Sequence, residues 1–178
     1  MSLFVIGDPH LSLSVDKPMD VFKGWENHTD RIKANWNHLV TNEDTVLDIG
    51  CGSGILAIAA MLLGAEKGFG VDIDPVAVKT ATENGKMNGI DECDLQFVCG
   101  DLADKVTEKY SIVVANIVAD IIKLFSTQVR AFMLPGAKFI ASGIIDTRAD
   151  EVCQSLEEAG LKIVRRIENG GWVCLVCE

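Results

Sequence analysis

The sequence predicts a doubly wound α/β fold, in which a mostly parallel sheet of about seven strands carries helices on both faces and the last strand is antiparallel. Short β-rich runs alternate with helical patterns from Asp44 onward. Several runs, such as Ile112-Val113-Val114-Ala115, are continuously apolar, which is typical of strands covered on both faces. The last two runs are joined only by Asn169-Gly170-Gly171, which indicates a hairpin.

The strands are predicted from short runs rich in apolar and β-branched residues. They are Thr45–Ile49, Gly68–Asp72, Leu95–Val98, Ser111–Ala115, Lys138–Ser142, Leu161–Arg166 and Trp172–Val176. Helical spacing and capping residues predict the intervening helices, and Asp74 followed by Pro75 is a favourable helix start. The helices cover about residues 55–63, 75–88, 118–132 and 147–159, and are ended by Gly64, Asn88-Gly89, Pro135-Gly136 and Gly160 respectively.

Composition restricts the class of protein. The chain has 178 residues, 48% of them hydrophobic, so one packed domain is expected. No apolar run is long enough for a membrane span and no basic-then-apolar leader is present, so we expect a cytoplasmic protein with no membrane partner. The net charge of −10 disfavours direct nucleic-acid binding and is compatible with a basic protein partner, whereas the oligomeric state stays open.

The six cysteines predict no metal site. Cys174 and Cys177 form a single CxxC within the terminal strand, and no second pair accompanies it. We expect buried free thiols there, because cysteine commonly behaves as a small hydrophobic residue.

The strongest functional signal is a glycine loop that follows the first strand. Its sequence is Val46-Leu47-Asp48-Ile49-Gly50-Cys51-Gly52-Ser53-Gly54. Alternate glycines let the backbone turn tightly and approach a ligand, and the helix N-terminus behind them favours an anionic group. The dinucleotide fingerprint GxGxxG fails, because position 55 is Ile where the third glycine is required. A purely structural tight turn is the alternative interpretation of the loop.

Three polar residues follow neighbouring strands at the same predicted edge. Asp72 lies 22 residues after Gly50, near the spacing at which a carboxylate meets ribose hydroxyls. Asp101 follows the third strand and could accept from an adenine amino group. Asn116 ends the fourth strand and offers a neutral acceptor that can hold an amine without raising the amine's pKa; a helix cap is its alternative role.

Residues 44–178 resemble the catalytic domain of class I S-adenosylmethionine-dependent methyltransferases, and most closely the ribosomal protein L-eleven methyltransferases. The resemblance is carried by the glycine loop, Leu56-Ala57-Ile58-Ala59-Ala60, Gly70-Val71-Asp72-Ile73-Asp74-Pro75-Val76-Ala77-Val78, Asn88-Gly89 and Val113-Val114-Ala115-Asn116-Ile117-Val118-Ala119-Asp120. It implies a Rossmann-like methyltransferase fold, S-adenosylmethionine as cofactor without a metal, and methyl transfer to an amine of a basic ribosomal protein.

The resemblance also implies roles for individual residues. The methionine end of the cofactor would be surrounded by Asp48, Gly50, Gly52 and Gly54. Asp72 would contact the ribose hydroxyls, Asp101 would lie near adenine, and Asn116 would hold the methyl-accepting amine.

The first 43 residues depart from that family's pattern. We find no substrate-docking domain and no glycine-histidine-threonine segment ahead of the first core strand. Residues 3–40 instead resemble the start of calcineurin-like metallophosphoesterases, in which Asp8 and His10 would be metal ligands, but the later ligand motifs are missing. We therefore expect a fusion with its seam near Thr41–Val46, and residues 27–40 to form a helix that packs on the sheet.

Two functions fit these observations better than others. The first is an active methyltransferase of the protein-amine type. The second is a module that binds S-adenosylmethionine with little or no turnover, because the docking domain is missing. A metallophosphoesterase fragment and a nicotinamide dehydrogenase are more distant readings.

Overall fold

The structure, a computed structural model, describes residues 40–178. The predicted strand at Leu3–Ile6 and the predicted helix over residues 27–40 lie outside this range, apart from Val40 itself. Val40 is buried against Val46, Ala60 and Ala65, so the chain enters the fold beside the first strand.

Seven strands form one sheet in the order β3-β2-β1-β4-β5-β7-β6. All neighbouring strands are parallel except β7, which runs antiparallel to both β5 and β6. This confirms the predicted mostly parallel sheet with an antiparallel last strand. The strands are β1 (Thr45–Ile49), β2 (Lys67–Asp72), β3 (Leu95–Cys99), β4 (Tyr110–Asn116), β5 (Met133–Ile145), β6 (Ile163–Asn169) and β7 (Trp172–Cys177).

Helices cover both faces of the sheet, as predicted. They are α1 (Ile55–Leu62), α2 (Pro75–Met87), α3 (Ala119–Val129) and α4 (Ala149–Glu158), with short 3-10 turns at Arg130–Phe132 and Asp146–Arg148. Alternate residues of β1 separate the two faces. Leu47 packs in the core that includes α3 and α4, whereas Val46 packs with the end of α1.

The larger core is built around an aromatic group between α3 and the sheet. The Phe125 ring is fully buried, stacks on Phe132 at a centroid distance of 6.4 Å, and meets Phe139 edge-on at 5.9 Å. Such pairs add to the apolar burial that holds a helix on a sheet. This packing fixes α3, and therefore the end of β4 that precedes it.

Most capping predictions are confirmed. The Asp74 carboxylate accepts the N–H of Val76 at 2.8 Å, and Pro75 is the first helical residue. In the hairpin, Asn169 pairs with Trp172, so the turn consists of two glycines with φ of +58° and +83°. Positive φ at both positions is what a type I′ turn requires, and glycine supplies it without steric cost.

The predicted helix over about residues 118–132 corresponds to α3, which ends at Val129, and the 3-10 turn that follows to Phe132. The predicted strand Lys138–Ser142 is too short, because β5 already begins at Met133 and runs through Pro135-Gly136. Only Met133 pairs with β4 before the register shifts, so the exposed Pro135 lies where no strand partner needs its missing N–H. Gly136 bends this irregular start with a φ of +80°.

Within residues 40–178, no helix has the length and apolar character needed to cross a bilayer.

Candidate functional site

The glycine loop runs from the C-terminal end of β1 into α1. The N–H groups of Gly50 and Cys51 both donate to the Val71 carbonyl on β2, at 2.8 and 3.0 Å. Gly50, Gly52 and Gly54 have φ of +70°, +53° and +80°. Residues with side chains rarely adopt a positive φ, so the loop requires glycine at all three positions.

Asp72, at the end of β2, holds the loop from the side. Its Oδ2 accepts the N–H of Gly52 at 2.8 Å, and its Oδ1 accepts the N–H of Asp74 at 3.0 Å. A carboxylate oxygen has more than one acceptor position, so both oxygens can still accept from ligand hydroxyls. The loop and the acidic strand end therefore form one wall.

Asp48 is the buried charge of the site. It lies on β1 with 1% of its surface exposed, and its Oδ2 accepts the N–H of Ala57 in the first turn of α1 at 3.3 Å. Its Oδ1 has no partner among the described residues. Burial raises the pKa of this carboxyl to about 7, and the nearby negative charge of Asp72 adds to the effect. An unpaired buried oxygen is costly, so this position favours a ligand that brings a hydrogen-bond donor or a positive charge.

The start of α1 has no capping side chain of its own. Its N-cap is Gly54, and the Asp48 carboxylate instead accepts the N–H of Ala57 in the first turn. Asn84 on α2 steadies the loop from outside by donating from Nδ2 to the Ser53 carbonyl at 2.9 Å.

Phe97 explains why two of the glycines have no room for a side chain. A Cβ on Gly54 would lie 2.7 Å from the Phe97 ring and 2.9 Å from the Cβ of Ala81. A Cβ on Gly70 would lie 2.4 Å from the same ring. The ring therefore packs directly on the backbone of the loop and of β2.

Asp101 lies just beyond β3 at the same edge of the sheet. It is exposed, and its N–H donates to Oδ1 of Asp104 at 3.0 Å. The next residue, Leu102, has a φ of +51°, the one positive value at a non-glycine residue in the part of the chain described. Such strain is often retained at functional sites.

Asn116 is the last residue of β4 and is half-buried. It pairs with Ser142 of β5 across the sheet. The N-cap of α3 is Val118, which has no side-chain cap hydrogen bond, so Asn116 is not the N-cap residue of that helix.

The predicted residues meet at one edge of the sheet. Asp48, Asp72, Asp101 and Asn116 lie on, at the end of, or just beyond β1, β2, β3 and β4, which are adjacent in the order β3-β2-β1-β4. The chain order reverses between β1 and β4, and open α/β sheets bind ligands at such a switch point. The glycine loop and Asn116 stand on the two sides of that point.

The sequence reasoning missed Ile117 and Gly143. A Cβ on Gly50 would lie 2.3 Å from Cγ2 of Ile117, and a Cβ on Gly143 would lie 2.9 Å from both Oδ1 of Asn116 and the carbonyl oxygen of Ile117. These contacts join β1, β4 and β5. The Ser142-Gly143 pair inside the apolar run that ends β5 was the available signal, since a glycine within a strand often marks a bulge.

A surface cleft of about 440 Å³ lies elsewhere, beside the start of β5. Lys109, Arg130, Lys138 and Glu178 line it together with apolar residues, and none of the predicted site residues does. It opens at the N-terminal ends of the strands. The cleft and the candidate site therefore lie at opposite ends of the parallel strands.

Within the described range of 40–178, no three His, Cys, Asp or Glu side chains are grouped so that they could hold a metal ion. Asp8 and His10 lie outside that range. Cys174 and Cys177 are buried free thiols, as predicted, and burial raises the pKa of each to about 12.

The strand order, the glycine loop and the acidic end of β2 define a class I S-adenosylmethionine-dependent methyltransferase domain. Residues 30–178 match the family model "Ribosomal protein L11 methyltransferase (PrmA)". The chain belongs to this family.

Curated relatives and solved structures agree with that assignment. A ribosomal protein L11 methyltransferase of Clostridium botulinum (strain Eklund 17B) is 45% identical over 78% of this chain and 44% of its own length. One from Desulforamulus reducens is 38% identical over 98% of this chain and 56% of its own length. A crystal structure of ribosomal protein L11 methylase from Lactobacillus delbrueckii subsp. bulgaricus has a TM-score of 0.75 at 31% identity, covering 85% of this chain and 78% of that one.

A more distant structure supports the fold alone. The RNA methyltransferase from Salinibacter ruber, solved in complex with S-adenosyl-L-homocysteine, has a TM-score of 0.63 at 20% identity and covers 82% of this chain and 88% of that one. The chain spans about half the length of the curated relatives it matches.

A metallophosphoesterase fusion is not shown by these comparisons. The family match starts at residue 30, and the Desulforamulus reducens relative aligns over 98% of this chain. Both matches therefore extend upstream of the expected seam near Thr41–Val46.

Proposed function

We propose that this chain binds S-adenosylmethionine and transfers its methyl group to an amine of a protein substrate, with ribosomal protein L11 as that substrate. The observation that carries the proposal is the match of residues 30–178 to the L11 methyltransferase family. The geometry of the switch point supports it, because acceptor groups suited to a cationic nucleoside lie on one side of the point and Asn116 on the other.

The site fits this cofactor. Asp48 has a buried oxygen that lacks a partner within residues 40–178, which suits the ammonium or sulfonium charge of the methionine end. Gly50, Gly52 and Gly54 leave the loop backbone open to close approach. Asp72 can accept from the two ribose hydroxyls, and Asp101 would accept from the adenine amino group.

Asn116 would act on the methyl acceptor. When bound, the cofactor supplies an electrophilic methyl group on a sulfonium; a nitrogen–carbon bond forms as the sulfur–carbon bond breaks. The attacking amine must be neutral, whereas an ordinary lysine has a pKa of about 10.4. The neutral carboxamide of Asn116 accepts an amine N–H and stabilises the charged form of the amine less than a carboxylate would. The methylated amine then releases a proton to water. Orientation and exclusion of water supply the remaining catalysis.

The charge of the chain agrees with a basic substrate. The net charge of −10 attracts a basic protein and repels a bare nucleic-acid backbone. A ribosomal substrate places the activity in the cytoplasm. We assign the cofactor domain to residues 44–178 and residues 1–43 to an N-terminal segment, of which residues 30–43 fall within the family match and Val40 packs against Val46.

The alternative function is a module that binds the cofactor without turnover. The two functions differ at Asn116, because both need the glycine loop and Asp72 and only methyl transfer needs a group that holds the acceptor amine.

Mass spectrometry of purified bacterial ribosomal protein L11, incubated with the chain and S-adenosylmethionine, tests the proposal. We expect mass increments of one methyl group, and their loss in Asn116→Ala with S-adenosylhomocysteine binding retained. Binding without any transfer would establish the module instead. Absence of both would overturn the proposal.

A further inference from the structure

Ile117, which follows Asn116, links the glycine loop after β1 to the ends of β4 and β5. Ile117 follows Asn116 directly, and its Cγ2 occupies the place that a Cβ on Gly50 would take, at 2.3 Å. On the backbone side, a Cβ on Gly143 would lie 2.9 Å from the Ile117 carbonyl oxygen and 3.2 Å from its nitrogen. Ile117 thus lies between Gly50 of the glycine loop and Gly143 of β5.

Gly143 lies at a bulge of β5. Ala141 pairs with Leu175 and Ile144 with Val173, so Ser142 and Gly143 together oppose a single residue of β7. Gly143 has a φ of +78°. Bulges re-aim the chain beside functional sites, and here the turn brings the backbone of β5 against the end of β4.

The bulge bears on the side chain of Asn116 itself. A Cβ on Gly143 would lie 2.9 Å from Oδ1 of Asn116, closer than real Cβ contacts allow. The Ile117 N–H donates to the Ser142 carbonyl at 3.2 Å, which holds the peptide after Asn116 against the bulge. Any side chain at position 143 must therefore displace the Asn116 carboxamide or the peptide that follows it.

We infer that Gly143 is a positioning residue: through Asn116 and Ile117 it sets where the acceptor-binding carboxamide stands relative to the glycine loop. This inference rests on the proposed function for the role of Asn116. Ile117 transmits the position, because its side chain contacts Gly50 and its backbone contacts Gly143. Methyl transfer needs the amine in line with the breaking bond, so a displacement of less than 1 Å in the carboxamide matters for rate and little for cofactor affinity.

The chain contains a matched control for the substitution. Gly136 is on the same strand and has a φ of +80°, but a Cβ there meets nothing within 4 Å. Gly143→Ala and Gly136→Ala therefore carry the same backbone strain, and only the first introduces the contact with Asn116.

The test compares both variants in the full chain by three measurements. The first is the position of the Asn116 side-chain amide peaks in the NMR spectrum of asparagine-labelled protein, assigned through Asn116→Asp. The others are affinity for S-adenosylhomocysteine and the rate of transfer to ribosomal protein L11. In Gly143→Ala we expect shifted Asn116 peaks, affinity within about twofold of wild type and a kcat at least about tenfold lower. We expect Gly136→Ala to leave all three unchanged.

Unmoved Asn116 peaks in Gly143→Ala would overturn the inference, and so would equal kcat values in the two glycine variants or an affinity loss parallel to the loss of kcat. If Gly143→Ala does not fold, Ile117→Ala applies the same test by emptying the contact with Gly50. It must shift the Asn116 peaks, or the inference fails. If wild type transfers no methyl group, the proposed function fails, whereas the NMR comparison still decides the role of Gly143.

Discussion

Replacing Asp48 by asparagine tests whether a buried carboxylate was retained at the expense of stability. The group is 1% exposed, and burial raises its pKa from an ordinary value of 3.8 to about 7. Between these values the folded protein binds one more proton than the unfolded chain. Unfolding then releases that proton, so stability falls as the pH rises through this interval.

The magnitude follows from the pKa values. One pKa unit corresponds to about 1.4 kcal/mol, so the carboxylate costs the folded protein about 4 kcal/mol above pH 7. About 2 kcal/mol of this cost develops between pH 5.5 and pH 8. Asp48→Asn cannot ionise, and its stability lacks this component at every pH. The hydrogen bonds that the new amide lacks lower stability by about the same amount at both pH values and cancel from the comparison.

The assay is urea unfolding of the ligand-free chain at pH 5.5 and pH 8. We expect wild type to lose about 2 kcal/mol more of its unfolding free energy than Asp48→Asn over this range. Asp101→Asn is the control, because the Asp101 carboxylate is exposed. The unfolding free energy of this variant should change with pH as that of wild type does. A difference between wild type and Asp48→Asn below about 0.5 kcal/mol would refute the reasoning.

Three further substitutions have distinct expected effects. Phe125→Ala removes a fully buried ring from the group with Phe132 and Phe139 and should cost about 3–5 kcal/mol in urea unfolding; a loss under 1 kcal/mol would contradict the packing. Asp72→Ala should weaken S-adenosylhomocysteine binding at least about tenfold by calorimetry, since it removes charge-assisted acceptors; unchanged affinity would remove Asp72 from the site. Arg148→Ala removes surface ion pairs with Asp120 and Glu151 and should lower the urea midpoint only slightly, and less in high salt; a large loss that salt does not reduce would contradict this.

The sequence predicted best what depends on neighbouring residues. Runs rich in apolar and β-branched residues located all seven strands. The central strand β4 contains a continuous apolar run because it lies inside the sheet, whereas the edge strand β6 alternates half-buried and exposed residues. Asp74 and the two hairpin glycines were found for the same reason, since a cap or a turn is determined within a few positions. The glycine loop and Asp72 were likewise recognised from short stretches of sequence.

The extent of β5 was missed because a tertiary contact overrides the local signal. Pro135-Gly136 is typical of a break, yet the strand passes through it. The pairing of Met133 with Tyr110 makes this possible, followed by a register shift that leaves Pro135 without a hydrogen-bonding obligation. No local pattern encodes that pairing.

The contacts that hold Asn116 in place were missed for a similar reason. Asn116 was identified from its place after an apolar strand, but the contacts of Ile117 with Gly50 and Gly143 connect residues far apart in the chain. The burial of Oδ1 of Asp48, which has no partner in the described part of the chain, also depends on the packing of α1 over β1. Both features come from the assembled sheet.

Calorimetric titration of the full chain with S-adenosylhomocysteine tests directly whether the chain binds its cofactor at the switch point. The glycine loop, Asp48 and Asp72 have a ligand only if the switch point between β1 and β4 is a nucleoside site. We expect saturable binding of one S-adenosylhomocysteine molecule per chain. The affinity should weaken as the pH falls below about 7, because the Asp48 carboxyl then takes up a proton. Absence of binding at pH 8, with the chain folded by circular dichroism, would contradict it.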